Sequence, residues 1–170
     1  MWASAEGNTD AVKMLLEFGA DMKVVSNGGF TALLFAVREG RLDTVKALIA
    51  AGANPNDTIG RAKNSPLRVV NYTIAGTGAL LLAVENGHFE LASYLLDAGA
   101  DPNGNTRGWT ALHAITWVRK PGTGSNDPAP LGSGNMDSIA LIKKLVAKGA
   151  DLNAKMTRRR PAGYTVLNMQ

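Results

Sequence analysis

Cysteine is absent from this 170-residue chain, so neither a disulfide framework nor a thiolate metal site can form. Long apolar runs are also absent. The longest, Ala32–Val37 and Ala79–Val84, have six residues each, whereas a membrane-spanning helix needs roughly 20. No basic segment followed by an apolar one opens the chain, so no signal peptide is visible. The sequence therefore predicts a soluble chain without a membrane partner, and it leaves the compartment unknown.

Charge of one sign is present in only small excess, with 18 Lys and Arg against 14 Asp and Glu and a net charge of +4. This balance falls short of a dedicated nucleic-acid binder and disfavours a nucleic-acid partner. The 45% of hydrophobic residues is too high for a disordered chain. The length fits one domain or a short repeat array.

Enzyme motifs are missing as well. The chain contains neither the Gly-x-x-x-x-Gly-Lys-Ser/Thr phosphate loop nor the Gly-x-Ser-x-Gly elbow. Its two histidines, His88 and His113, do not make a plausible zinc site without cysteine. We therefore expect no enzyme activity, no cofactor and no metal.

What the sequence does contain is an internal repeat. A Gly-Ala-Asp/Asn ending occurs four times, at Gly19–Asp21, Gly52–Asn54, Gly99–Asp101 and Gly149–Asp151. A second signature opens with glycine and closes with leucine, at Gly29–Leu33, Gly76–Leu80, Gly108–Leu112 and Gly163–Leu167. The first two endings are 33 residues apart and the later gaps are 47 and 50, which indicates a regular unit carrying two insertions.

Each repeat has the pattern of two short helices. Leu33, Ala36 and Val37 have helical spacing, and Gly40 then ends that helix. A second apolar stripe follows, and Gly52 ends it. One acidic residue recurs near the start of the second helix, where it complements the helix dipole. We interpret these acids, at Asp10, Asp43 and Glu90, as structural.

These motifs resemble the ankyrin repeat, whose signature is matched by Gly108–His113, by Gly87-His88 and by Leu95–Asp101. The proline of the family motif is replaced in every repeat, and its histidine survives only as His113. The resemblance implies an all-α solenoid of stacked helix pairs with β-turn fingers and two long loop insertions. It also implies a non-catalytic role in gripping another macromolecule, and a His113 that bonds backbone between neighbouring repeats.

The repeats predict a single ankyrin-repeat domain over residues 1–170. Its units are 1–25 (partial), 26–56, 57–103 with an insertion at 57–75, 104–153 with an insertion at 118–136, and 154–170 (partial). The incomplete terminal repeats predict either an excerpt of a longer array or ends that pack on further repeats or a second chain. Each insertion either adds binding specificity or is a tolerated excursion.

The strongest candidate binding residues share one column of the repeat, which in ankyrin arrays lines the finger side of the concave face. Three of its four members are aromatic, and a row of exposed rings gives a large contact area at low entropic cost. The column consists of Phe30, Thr77, Trp109 and Tyr164, and the neighbouring variable positions are Arg38, Glu39, Glu85, Asn86 and Trp117. The alternative is that the rings pack on the insertions or on adjacent fingers.

The first insertion and the last finger are basic and predict a lower-ranked anionic-partner site. Its members are Arg61, Arg68, Arg158, Arg159 and Arg160. We expect a protein–protein interaction module that binds another protein of unknown identity through the finger-side face and the insertions. The alternatives are a regulatory or scaffold segment of a larger multidomain enzyme, and a binder of an anionic ligand, whose affinity would fall steeply with salt.

Overall fold

The computed structural model describes residues 1–61, 75–119 and 132–157. Within these ranges the chain forms eight α-helices and no strand, so the all-α prediction is confirmed for them. The helices are α1 (Trp2–Glu6), α2 (Thr9–Glu17), α3 (Ala32–Arg38), α4 (Leu42–Ala50), α5 (Ala79–Glu85), α6 (Phe89–Asp97), α7 (Ala111–Arg119) and α8 (Ser138–Ala147).

Side-chain caps fix where several helices begin. The Thr31 hydroxyl accepts the Leu34 N–H at 3.3 Å, and the Asp137 carboxylate accepts the Ala140 N–H at 2.8 Å. Each cap satisfies an amide that has no partner within its own helix. The recurring acid or amide that follows the second helix closes a turn by accepting the N–H two residues on, in Asp21, Asn54, Asp101 and Asp151. The Gly-Ala-Asp/Asn ending ends in an acid or amide because that side chain closes this turn.

The chain divides into two compact units, Met1–Ala79 and Leu80–Gln170. In the first unit α1 packs on α3 and α2 on α4. The predicted stripe of α3 is buried, and so are Val45 and Leu48 of α4. Leu15 of α2 holds the repeat position of Leu48 yet is half-exposed.

The ends of the first insertion meet in the first unit. The Ile59 N–H donates to the Thr77 carbonyl at 2.9 Å, and the Gly76 N–H donates to the Ile59 carbonyl at 2.7 Å. An isolated antiparallel bridge joins Thr58 to Gly78 beside them. The Ile59 side chain is also buried. Its burial and the backbone pairing together hold the two ends of the first insertion next to each other. The segment 67–74, predicted to be a short strand or extended loop, lies outside the described residues.

In the second unit α6 and α7 both pack against α8. The repeat pattern places an apolar stripe at Ala92, Leu95 and Leu96 of α6, and all three are buried. It places the matching stripe of α8 at Ile142, Leu145 and Val146, which is wrong for Val146, since that side chain is exposed while Leu145 is buried. Helix α8 begins after the Asp137 cap and has ten residues rather than the nine of α4 and α6.

Candidate functional site

In the first unit, the end of α3 carries a cation held against two aromatic rings. The Phe30 and Phe35 ring centroids lie 5.1 Å apart with their planes tilted by 31°. The Arg38 guanidinium carbon lies 5.3 Å from the first centroid and 5.2 Å from the second. A guanidinium this close to a ring face is attracted by the ring quadrupole, so the rings limit where the Arg38 side chain can lie.

The neighbouring carboxylate restrains the same arginine. Arg38 Nε donates to Glu39 Oε1 at 2.7 Å. The side chains keep 24% and 36% of their area exposed, so both charged groups stay within reach of a second molecule. The end of α3 therefore presents a cation and an anion in one defined arrangement.

The second unit contains a buried ion pair. Arg107 Nη1 lies 3.1 Å from Glu85 Oε2 and 3.5 Å from Oε1, and the Trp109 indole N–H donates to Oε1 at 3.0 Å. The Arg107 guanidinium lies 4.5 Å from the Trp109 ring centroid. The arginine and glutamate side chains are only 4% and 7% exposed. Removing two charges from water is costly, and these contacts offset that cost.

Trp117 of α7 is the accessible aromatic next to this cluster. Its ring meets the Trp109 ring edge to face, with centroids 5.9 Å apart and an interplanar angle of 77°. Trp117 is half-buried, whereas Trp109 is buried. The neighbouring candidate Asn86 is buried too, and its side-chain amide donates to the Leu82 carbonyl at 2.8 Å.

The expectation of exposed rings in the predicted column is wrong for its described members. Phe30, Thr77 and Trp109 keep only 5%, 1% and 3% of their area exposed. Phe30 packs on Phe35 and Arg38, and Trp109 packs on the ion pair and Trp117.

The rings are buried, as the packing alternative has it, but their described ring contacts are with Phe35, Arg38, Arg107 and Trp117 rather than with the insertions or adjacent fingers. Tyr164 lies outside the described residues, while Glu85 and Asn86 are buried. Of the candidate binding residues, Arg38, Glu39 and Trp117 keep partial exposure.

The basic candidates are not brought together by any part of the chain that the structure describes. Arg61 is exposed and is the last residue before the first undescribed segment. Arg68, Arg158, Arg159 and Arg160 lie outside the described residues, and so does most of both insertions. The anionic-partner site therefore stays a prediction.

The residues that the structure describes hold no group of three His, Asp or Glu side chains placed to bind a metal ion. None of their helices has the length and apolar character to cross a membrane.

His113 links two successive fingers of the second unit. Its Nδ1 accepts the Thr110 N–H at 3.2 Å and lies 2.9 Å from the Thr110 hydroxyl. Because Nδ1 accepts, the ring proton sits on Nε2, which donates to the Ala154 carbonyl at 3.0 Å. Beside it, the Thr157 N–H donates to the Gly108 carbonyl at 2.9 Å. His113 thus bonds to the backbone of the next repeat, as expected.

Comparison with known families matches residues 1–59 and 62–119 to ankyrin repeats, in three copies. The chain belongs to the ankyrin-repeat family. The fold class, an all-α ankyrin solenoid of helix pairs, is thereby confirmed. Ankyrin repeats are in general protein–protein interaction modules and are typically non-catalytic.

Two curated relatives carry similar ankyrin segments. The Fowlpox virus ankyrin repeat protein FPV244 is 36% identical over 55 residues, which is 32% of this chain and 8% of the viral protein. The palmitoyltransferase AKR1 of Lachancea kluyveri is 37% identical over 54 residues, 32% of this chain and 7% of the enzyme. The chain therefore matches less than a tenth of the length of either relative.

Sequence reasoning missed two residues, Phe35, which contacts Phe30 and Arg38, and Arg107, which pairs with Glu85. Phe35 lies three residues before Arg38, a spacing that places both side chains on one helix face. Arg107 directly precedes the Gly108-Trp109 motif. These local signals could have suggested both residues. The pairing of Arg107 with Glu85 spans 22 residues, and no local pattern encodes it.

Proposed function

We propose that this chain is a non-catalytic ankyrin module that binds another protein through residues at the C-terminal ends of α3 and α7. The observation that carries the proposal is the partly exposed Arg38–Glu39 pair at the end of α3. A partner would contact Arg38 and Glu39 in the first unit and Trp117 in the second. The buried Phe30 ring contacts Arg38, and the buried Trp109 ring contacts Trp117.

Preorganisation is the physical reason for choosing the end of α3. An arginine loses side-chain freedom when a partner binds it, at a cost of about 0.5–1.5 kcal/mol for an immobilised side chain. Here the Phe30 and Phe35 rings and the Glu39 carboxylate already restrict Arg38. Arg38 has therefore already lost part of its side-chain conformational entropy before a partner binds. The planar guanidinium also suits a carboxylate on the partner.

Trp117 is the corresponding residue of the second unit. Tryptophan and arginine are enriched among the residues that dominate binding energy at protein interfaces. The edge-to-face contact with Trp109 holds the indole in place while leaving it partly exposed. A partner side chain could then cover a ring that needs little further ordering.

The test is affinity capture from a lysate of the source organism, comparing the parent chain with Arg38→Ala and Trp117→Ala. We expect a specific protein that the parent chain retains and each variant retains at least tenfold less. Matched controls are Lys13→Ala and Ile139→Ala, which change exposed positions on α2 and α8. Retention that both variants preserve, or that the controls lose equally, contradicts the proposal.

A second candidate function is a regulatory or scaffold segment that acts within a larger enzyme. The match to part of a palmitoyltransferase favours it, because an ankyrin segment there belongs to a catalytic protein. In that case Arg38 and Glu39 would contact a domain of the same polypeptide. Crosslinking of the full-length protein would then join this surface to that domain, whereas a module that binds a separate protein would crosslink to another chain.

The salt dependence of binding distinguishes the anionic-ligand alternative from the two functions described above. Binding through basic side chains releases counterions, so its affinity falls steeply between 50 mM and 200 mM salt. Binding through the Trp117 ring, which carries no charge, should change far less. Repeating the capture at both salt concentrations distinguishes these cases.

A further inference from the structure

The connection between α7 and α8 ends in a segment that is fastened to the preceding repeat. We call Gly132–Asn135 the return segment. Its Ser133 N–H donates to His88 Nδ1 at 3.0 Å, and its Asn135 N–H donates to Glu90 Oε2 at 2.9 Å. His88 occupies the N-cap position of α6, without a capping bond from its side chain, and lies in the turn between α5 and α6. The return segment thus binds a turn about 45 residues earlier in the same unit.

Two glycines let the return segment approach this closely. A Cβ at Gly132 would collide with the carbonyl oxygen of Gly87. A Cβ at Gly134, where φ is +86°, would lie 2.8 Å from Glu90 Cβ. A side chain at either position would push the return segment off the turn. The absence of a side chain at Gly132 and Gly134 therefore allows the return segment to lie against Gly87 and Glu90.

The geometry fixes the protonation state of His88. A backbone N–H can only donate, so Nδ1 must offer its lone pair to Ser133, and the ring must be the neutral Nε2–H tautomer. The Ser133 hydroxyl, 3.0 Å from the same nitrogen, can donate as well. A proton on Nδ1 would remove that acceptor and turn an N–H toward the Ser133 N–H. We propose that His88 is a pH-sensitive latch, which holds the return segment when neutral and releases it when protonated.

The other charged groups on the elements around His88 are already engaged. Glu85 of α5 bonds Arg107 and Trp109, and Glu90 of α6 bonds Asn135. At the far end of α6, Asp97 pairs with Lys144 and Lys148 of α8, while Asp137 caps α8 and His113 of α7 bonds Thr110 and Ala154. The return segment itself carries no ionisable side chain. Carboxylates ordinarily take up protons near pH 4, so these carboxylates stay ionised between pH 7.5 and pH 5.5 and do not account for a change in that range.

The coupling between protonation of His88 and release of the return segment determines how strongly pH shifts the latch. A free imidazole takes up its proton near pH 6.5. If only the released form binds that proton, the latch is fully formed above this pH and is weakened as the pH falls. Between pH 7.5 and pH 5.5 the equilibrium between released and latched forms should shift by about tenfold.

The test is residue-resolved amide hydrogen exchange on the whole chain at pH 7.5 and pH 5.5, corrected for intrinsic exchange rates. We expect protection of the Ser133 amide to fall by about tenfold at the lower pH. Protection of the Ala100 amide, which donates to the Leu95 carbonyl within the same unit, should not change. In His88→Gln the Ser133 amide should lose its pH dependence, whereas in His113→Gln it should keep it.

A second measurement keeps the proposal testable if His88→Gln folds poorly. The His88 ring signals can be titrated by NMR in the parent chain and in Gly132→Ala, where the added methyl group displaces the return segment. The parent ring should take up its proton at lower pH than the variant ring. Equal titration of the two rings, a Ser133 protection that is constant with pH, or a fall that persists in His88→Gln would each overturn the latch.

Discussion

Replacing Glu85 by glutamine should strongly destabilise the second unit. The amide oxygen of Gln can still accept the Trp109 indole N–H, so one bond of the cluster survives. Arg107, whose side chain is 4% exposed, would then face a neutral group. Leaving one charge of a buried pair uncompensated costs about 3–5 kcal/mol. We expect Glu85→Gln to lose an amount in this range from the free energy of unfolding.

The double variant Glu85→Gln/Arg107→Met shows whether the loss comes from the stranded charge. It removes the buried cation together with its attraction to the Trp109 ring, worth about 0.5–2 kcal/mol. Because no unpaired charge remains, we expect the double variant to be at least about 1 kcal/mol more stable than Glu85→Gln alone. Asp43→Asn is the control, since the Asp43–Lys46 pair is exposed at 3.4 Å and should contribute less than about 1 kcal/mol.

Urea unfolding followed by tryptophan fluorescence measures these differences. Trp2 is highly exposed, so Trp2→Phe gives a background in which only Trp109 and Trp117 report, both in the second unit. The reasoning fails if Glu85→Gln costs less than about 1 kcal/mol. It also fails if the losses from Glu85→Gln and from Arg107→Met, each measured alone, simply add in the double variant.

Three further substitutions have predictable outcomes. Leu48→Ala in the buried face of α4 should cost about 2–5 kcal/mol in thermal or urea unfolding, and a smaller loss would place Leu48 outside the core. Thr31→Ala removes the side-chain cap of α3 and should cost about 1 kcal/mol, whereas Thr31→Ser keeps the hydroxyl that accepts the Leu34 N–H and donates to Asp57 and should keep most of the stability. Hydrogen bonds from Lys144 and then Lys148 lower the pKa of Asp97 below its ordinary value of 3.8. The ionised carboxylate therefore stabilises the fold above that value and loses its effect as the pH falls through the lowered pKa. Asp97→Asn should slightly lower the melting temperature at pH 7, and the difference from the parent chain should vanish in acid.

The repeat motifs made the fold predictable because they encode local chemistry. The Gly-Ala-Asp/Asn ending closes a turn through its own side chain, as at Asp101. Apolar spacing correctly predicted the buried face of α3. The family match over residues 1–59 and 62–119 has the same origin, since it depends on turn and core positions that recur with the repeat.

The candidate surface was less predictable because burial depends on contacts far away in sequence. Phe30 and Trp109 hold a column that suggested exposed rings, yet Arg38 and Arg107 pack against them. The contact between His88 and Ser133 joins residues 45 apart. A single sequence gives the chemistry of these side chains but not their pairing.

The central claim is that a protein partner contacts residues at the C-terminal ends of α3 and α7. Site-specific photo-crosslinking tests it most directly, with the crosslinking amino acid placed at Glu39, at Trp117 and, as a control, at the exposed Lys13 of α2. In a lysate of the source organism we predict that positions 39 and 117 crosslink to the same protein and position 13 does not. Crosslinks from position 13 alone, or different proteins at positions 39 and 117, would contradict the account.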